Sequence, residues 1–273
     1  MCGILALVSK SPLKRSEINE SLNSLQRIKH RGPDGEGVLL INTYTGETKS
    51  LRTKDTPENI KCHYQELSEV PENQFNLLLG HRRLSIIDLS VQGHQPMQVE
   101  EVSLIYNGEI YNYLELKEEL KAKGRTFKTN SDSEVLIQAY LEWGAGCLNK
   151  FNGMWTFVLW DNSKQKLFIA NDRFGVKPLY YTQVEEKTIL VSEIKQYFDF
   201  TSFKREFNKE YFDDYIKVGS TNIGVETPFY KVKRFPCGHF TELKTKDGFR
   251  KEFFKEYYSI YNIKKEKWKE KDA

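Results

Sequence analysis

Met1-Cys2-Gly3-Ile4-Leu5-Ala6-Leu7-Val8 opens the 273-residue chain and decides how the rest of it is read. Removal of Met1 would leave Cys2 with both a thiol and a free α-amine, a nucleophile with its own base attached. An α-amine titrates ordinarily at about 7.7–8.0 and a thiol at about 8.5. Near neutrality the amine can therefore take the thiol proton directly or through one water. The same stretch also reads as no more than a short buried strand, ended by Ser9-Lys10-Ser11-Pro12. The remainder of the chain has to separate these readings.

The length suits one large domain, or one domain plus an extension. Apolar residues make up 39% and aromatics 13%, enough for a substantial core. A net charge of +3 gives no support to nucleic-acid binding. Cys2, Cys62, Cys147 and Cys237 are scattered, with no C-x-x-C pair and no secretory signal. That pattern predicts a reduced, cytoplasmic protein without a disulfide framework or a zinc site. Cys147 and Cys237 are read as packing residues. The apolar run behind Met1 is too short for a signal h-region or a membrane span. His30, His81 and His94 adjoin loops and are read as structural hydrogen-bonders; their spacing offers no metal set, so no metal is expected.

Ser16, followed by Glu17, predicts the N-cap of an amphipathic helix with Ile18, Leu22, Leu25 and Ile28 inward. His30-Arg31-Gly32-Pro33-Asp34-Gly35-Glu36-Gly37 ends it in a fixed loop. Strands are expected at 38–41, 75–79 and 103–106, with a polar surface excursion over 42–74. The third strand runs into Asn107-Gly108, a dipeptide that favours a tight turn. One helix is predicted over 111–123 with Leu114, Leu116 and Leu120 inward. A second opens at the capping run Asn130-Ser131-Asp132-Ser133-Glu134 and buries Val135, Leu136, Ala139 and Tyr140. Strands at 154–160, 166–171, 179–182 and 189–191 follow as a meander. A further helix is predicted over 207–217, and a strand pair over 228–243 around Pro236-Cys237-Gly238. Strands, two helices and strands again predict an α+β fold, two stacked sheets with helices outside. The mixed-charge run over 264–271 reads as a solvated helix or a frayed end.

If Cys2 attacks an amide carbonyl, the site needs donors aimed at the developing oxyanion. A side-chain amide and a backbone N–H at Asn107-Gly108 fit that need. A free amino-acid substrate would also need an arginine fork for its carboxylate and an acid for its ammonium. Arg83 and Asp132 each stand where an element meets a loop. Each of these residues, taken singly, has an ordinary structural reading: a turn, a surface arginine, a helix cap.

The ordered set is more specific. Cys-Gly-Ile at 2–4, Arg-Gly-Pro-Asp at 31–34, Arg-Leu-Ser-Ile-Ile-Asp at 83–88, Gln-Pro-Met at 95–97, Asn-Gly-Glu-Ile-Tyr-Asn at 107–112 and Ser-Asp-Ser-Glu at 131–134 occur in one chain. Together with Asp-Arg-Phe-Gly-Val-Lys-Pro-Leu-Tyr at 172–180, they closely resemble the glutaminase domain of asparagine synthetase, a class II glutamine amidotransferase. The resemblance covers roughly residues 2–195 and continues more weakly through 226–229 and 236–239. It implies an N-terminal-nucleophile hydrolase fold, a four-layer αββα sandwich over 1–195, with a linker extension over 196–273. It also implies roles. Cys2 would be the nucleophile and its α-amine the base, and Asn107 and Gly108 would form the oxyanion hole. Arg83 would hold the glutamine carboxylate, Glu109 and Asp132 would contact the ammonium side, and Arg31, Gly32, Pro33 and Asp34 would order the pocket. Glutamine would pass through a γ-glutamyl thioester to glutamate and ammonia, supplying nitrogen for asparagine synthesis.

The chain also departs from that family. A full asparagine synthetase has a second domain that adenylates aspartate with ATP and carries a Ser-Gly-Gly-x-Asp-Ser loop. No Gly-Gly pair occurs here, nor a G-x-x-x-x-G-K or G-x-G-x-x-G motif. ATP and magnesium are therefore expected only in a synthetase domain or partner subunit with an ATP-pyrophosphatase fold, and no cofactor is expected in this chain. Neither nucleic acid nor membrane is an expected partner. The aromatic tail (Phe253, Phe254, Tyr257, Tyr258, Tyr261 and Trp268) is read as a surface for the missing partner. An alternative reading keeps the fold as a non-catalytic scaffold; a third makes the chain a hydrolase of another amide.

Overall fold

A computed structural model describes residues 1–86, 88, 90–220, 224–245 and 253–262. The elements in chain order are β1 (Gly3–Ser9), α1 (Arg15–Arg27), β2 (Gly35–Ile41), β3 (Thr48–Leu51), α2 (Glu58–Lys61), β4 (Leu77–Arg83), β5 (Met97–Val99) and β6 (Val102–Ile110). They continue with α3 (Tyr113–Ala122), α4 (Asp132–Trp143), α5 (Cys147–Lys150), β7 (Gly153–Asp161), β8 (Lys166–Asn171), β9 (Tyr180–Val184), β10 (Lys187–Val191), α6 (Lys209–Val218), β11 (Lys233–Arg234), β12 (His239–Leu243) and β13 (Lys255–Glu256).

The strands form two antiparallel sheets, ordered β11-β9-β10-β1-β4-β2-β3 and β13-β12-β8-β7-β6-β5. β1 is apolar without interruption because both its faces are buried. Ile4, Ala6 and Val8 point between the sheets to meet Ile105, Val158 and Ile169. Leu5 and Leu7 point outward, into a layer with Ile18 and Leu25 of α1. On the far side, Leu116 and Leu120 of α3 and Val135, Leu136 and Tyr140 of α4 cover Tyr106 and Phe157. The layers are helix, sheet, sheet, helix, as expected from the order of elements.

Several local expectations change. α1 begins at Arg15 and not behind Ser16: Glu17 reaches back and its Oε2 accepts the Lys14 N–H at 2.8 Å. The carboxylate thus does the capping that the Ser16 hydroxyl was expected to do. Leu114 is 59% exposed, because it precedes Leu116 by two positions and so falls on the opposite side of α3. The excursion over 42–74 contributes β3 to a sheet edge. The segment over 228–243 is no hairpin: β11 pairs with β9 and β12 with β8, so the chain crosses between the sheets. Cys237 lies exposed on that crossing instead of in the core. The aromatic tail mostly packs on its own domain. Tyr257 donates its hydroxyl to the Asn171 carbonyl at 2.8 Å and stacks on Trp155, while Phe253 and Phe254 lie against the inter-sheet core. Trp268 and the run over 264–271 lie outside the described residues. Among the described residues no helix is long and apolar enough to cross a membrane.

A buried ion network ties the site's supporting loop to the sheet. Arg82, fully buried in β4, donates to Glu36 at 2.6 Å and Asp55 at 2.8 Å, and its Nε donates to the Gly32 carbonyl at 3.1 Å. Removing one member of a buried pair strands the other charge. Glu36→Ala is expected to lower unfolding free energy by about 3 kcal/mol, the low end of such losses because Asp55 still faces the guanidinium. Denaturant titration measures this; a loss of under about 1 kcal/mol would show that Arg82 finds other partners.

Candidate active site

Beside β1 and β6 lies a cavity of about 210 Å³, lined by Cys2, Arg83, Leu84, Asn107, Glu109 and Asp132 among others. Six of the ten residues singled out in the sequence, Gly108 included, thus share one space. The loop residues Arg31, Gly32, Pro33 and Asp34 do not line it but hold its walls.

Cys2 is fixed from both sides. Arg31, nearly buried, donates Nε to the Cys2 carbonyl at 2.9 Å and Nη1 to Glu193 at 3.0 Å. The Cys2 Sγ accepts the Leu84 N–H at 3.4 Å and lies 3.6 Å from the Leu84 carbonyl. Behind it, Ser192 Oγ accepts the Ile4 N–H at 2.9 Å. Gly32 packs so closely on β4 that a Cβ would sit 2.4 Å from the Arg82 carbonyl carbon. The Asp34 N–H donates to the Arg83 carbonyl at 3.0 Å, and its Oδ2 accepts the Ser85 N–H at 2.8 Å. The 31–34 loop therefore sets the path of Arg83, Leu84 and Ser85. Burial pushes the Cys2 thiol up, opposed by the Leu84 N–H and the positive charges of the N-terminus and Arg83.

Asn107 and Gly108 are not on a turn; they lie within β6, opposite Thr156 and Trp155 of β7. Glycine is required there for close approach, since a Cβ would meet the Met154 carbonyl oxygen at 2.5 Å. Register decides where the Gly108 N–H points. Trp155 uses its own N–H and carbonyl on Asp172, on the β8 side, so its partner Gly108 belongs to a pair without mutual bonds. The Gly108 N–H consequently faces away from β7, as do the N–H of Tyr106, bonded to Gln95 Oε1 at 2.7 Å, and of Ile110, bonded to Asp132 Oδ2 at 3.1 Å. β5 begins only at Met97, opposite Leu104, so no strand covers this stretch. Among the described residues, the buried Asn107 Nδ2 has no hydrogen-bond partner. Two donors thus face the cavity.

The other end is charged. Arg83, last residue of β4, donates to the Ser90 carbonyl at 2.8 Å and to the Asp88 carbonyl, and burial lowers its pKa. Asp132, first residue of α4 behind the Ser131 cap, accepts the Tyr106 hydroxyl at 2.8 Å. Burial raises its pKa despite these bonds. Glu109 is half-buried at the wall. His81 donates Nε2–H to the Tyr106 carbonyl at 3.1 Å, and burial holds its pKa down to about 3. His30 meets Glu193 at 3.0 Å. The ring of His94, buried and held to about 4, makes no hydrogen bond with any described residue, contrary to the expectation for it. No group of three His, Cys, Asp or Glu among the described residues is arranged to hold a metal.

Sequence reasoning passed over Leu84, Gln95, Tyr106, Lys177 and Glu193. Leu84, Gln95 and Lys177 stood inside quoted motifs, though Leu84 acts through its backbone; Tyr106 looked like any strand aromatic and left no signal.

Known proteins resemble this chain in sequence and in fold. Over 238 residues the chain is 33% identical to the putative asparagine synthetase (glutamine-hydrolyzing) 2 of Methanocaldococcus jannaschii, covering 80% of this chain and 39% of that protein. It is 40% identical over 188 residues to asparagine synthetase (glutamine-hydrolyzing) 2 of Bacillus subtilis, 67% of this chain and 24% of that one. The chain thus spans well under half the length of these relatives. The fold matches glutamine phosphoribosylpyrophosphate amidotransferase from B. subtilis with a TM-score of 0.61 at 18% identity, over 93% of this chain and 48% of that one. Residues 68–258 match the family described as glutamine amidotransferase domain. With most of its length inside that match, this chain belongs to the glutamine amidotransferase domain family.

Proposed function

We propose that the chain hydrolyses glutamine to glutamate and ammonia through a γ-glutamyl thioester on Cys2. One observation carries the reading: a thiol and an unpartnered amide donor, Asn107 Nδ2, share a cavity whose far end holds an arginine and two acids. Arg83 takes the substrate carboxylate and Asp132 with Glu109 the ammonium, which directs the side-chain amide at Cys2. The α-amine of Cys2, freed by loss of Met1, takes the thiol proton as sulfur adds to the carbonyl. Asn107 Nδ2 and the Gly108 N–H receive the oxyanion. The amine returns the proton to the departing nitrogen, then activates the water that opens the thioester.

The released ammonia goes to a synthetase domain or subunit, the part of the longer relatives that this chain does not span, where ATP and magnesium are used to make asparagine. This chain needs no cofactor for its own step. A scaffold role has no comparable observation behind it.

Purified chain lacking Met1 is expected to release glutamate from glutamine. Release no greater than in the absence of protein would overturn the reading. Asn107→Ala is expected to lower kcat by about 10²–10³-fold, the usual loss for one oxyanion donor. A change confined to KM would place Asn107 in ground-state binding instead.

A further inference from the structure

Tyr140 and Tyr106 each donate a hydroxyl to a buried aspartate, and the two pairs differ in what else the acid meets. Tyr140 donates to Asp161 Oδ2 at 2.8 Å. Lys164 stands 2.9 Å from that oxygen and Ser163 donates to Oδ1 at 2.6 Å. Against burial, these hydrogen bonds hold the Asp161 pKa down. Tyr106 likewise donates to Asp132 Oδ2 at 2.8 Å, joined by the Ile110 N–H at 3.1 Å. Here the neighbouring charge is that of Glu109, and burial together with this like charge raises the Asp132 pKa. The Tyr106 hydroxyl is the largest influence opposing that rise. Like charges disfavour each other's ionised form, and a cation entering beside them relieves both.

Tyr106 is itself held firmly. Its N–H donates to Gln95 Oε1 at 2.7 Å, and its carbonyl accepts from His81 Nε2 at 3.1 Å. Gln95 Nε2 in turn donates at 3.2 Å to Ser133 Oγ, in the turn of α4 that Asp132 opens. The start of α4 is thus tied to β6 at two adjacent residues. Tyr106 is 2% exposed and Asp132 5%, yet both border the cavity. A core tyrosine can be satisfied by a backbone carbonyl, as Tyr197 is by Ile189 and Tyr257 by Asn171. Tyr106 is instead spent on a carboxylate at the site.

We propose that Tyr106 is a positioning residue for substrate binding, its hydroxyl holding the Asp132 carboxylate ionised and fixed for the α-ammonium of glutamine. The proposal rests on the glutamine-hydrolase reading above, in which Asp132 meets that ammonium. Tyr106 makes and breaks no bond of the substrate, so its contribution belongs to binding and not to the chemical step. Its neighbour in the chain is Asn107, the oxyanion donor, and this separates two outcomes. A tyrosine that merely supported β6 would, on losing its hydroxyl, disturb Asn107 and lower kcat. One that acts through Asp132 raises KM.

The test uses Met1-free chain and Tyr106→Phe, which removes one oxygen, assayed below its melting transition. Tyr106→Met stands in for a phenylalanine variant that does not fold. Tyr106→Phe is expected to raise KM for glutamine about 10-fold with kcat within about threefold, as for losing one hydrogen bond to a charged group. 4-Carbamoylbutanoate, which is glutamine without its amine, presents no ammonium to Asp132. Its competitive inhibition constant against glutamine turnover should therefore stay within about twofold on the same substitution. An unchanged KM, a loss confined to kcat, or an equal weakening of glutamine and the analogue would each overturn the proposal. Inactive wild-type chain would instead defeat the hydrolase reading, so the two failures are distinguishable.

Discussion

Cys2→Ala is expected to abolish glutamate release, lowering kcat/KM by at least about 10⁴-fold while the chain stays folded. The sulfur's recorded contacts are with the Leu84 backbone, at 3.4 and 3.6 Å, and both are weak. The anchoring bond from Arg31 goes to the Cys2 carbonyl, which alanine keeps. Two of the other hydroxyls at the cavity are already engaged. Ser131 Oγ accepts the Ser133 N–H as the α4 cap, and Ser133 Oγ accepts from Gln95 Nε2 at 3.2 Å. A coupled glutamate assay beside a thermal melt measures both halves. Retained turnover would place the nucleophile elsewhere, and a collapsed melting transition would make the residue structural.

Blocking the N-terminus should be nearly as damaging. A chain that keeps Met1, or carries residues fused ahead of it, is expected to lose about 10²–10⁴-fold in kcat, the range for removing a general base. Burial raises the thiol's pKa, so at neutral pH the sulfur is protonated and needs a base to be activated. With Met1 present the nearest α-amine belongs to Met1, which is over half exposed at the cavity's edge, and the Cys2 nitrogen is an amide with no basicity. In processed chain the rate should rise with pH through the ordinary α-amine range of about 7.7–8.0, as the amine loses its proton and can act as base. Preparations with and without Met1, defined by mass spectrometry, give the comparison. Equal rates would mean that another group takes the proton.

The layered architecture was readable because its signals are local and periodic. The unbroken apolar run of β1 reports two buried faces, and Leu116 with Leu120 reports one helical stripe. Asn107-Gly108 misled for a physical reason. Its turn preference is a property of two residues, whereas nine opposed positions of β6 and β7 hold it extended. Its glycine serves strand contact, not a bend. Cys2, Arg83 and Asp132 were identifiable as a set by resemblance, and Arg83 and Asp132 do stand at element ends. Glu193 was hidden, because an ordinary-looking charge becomes notable only once the partners it shares are known.

The position of β1 also governs how the molecule comes together. It is an interior strand lying between β10 and β4, and its Ile4 N–H bonds a serine 188 positions later. The first strand synthesised is thus unable to finish its pairing until nearly two hundred residues have followed. Contacts of such long range form slowly, and an unpaired apolar strand is open to pairing with other chains meanwhile. Yet the delay leaves the first two residues accessible while the chain grows. The sheet behind Cys2 is complete only when β10 closes against β1, so the setting of this residue is among the last features the folding chain acquires.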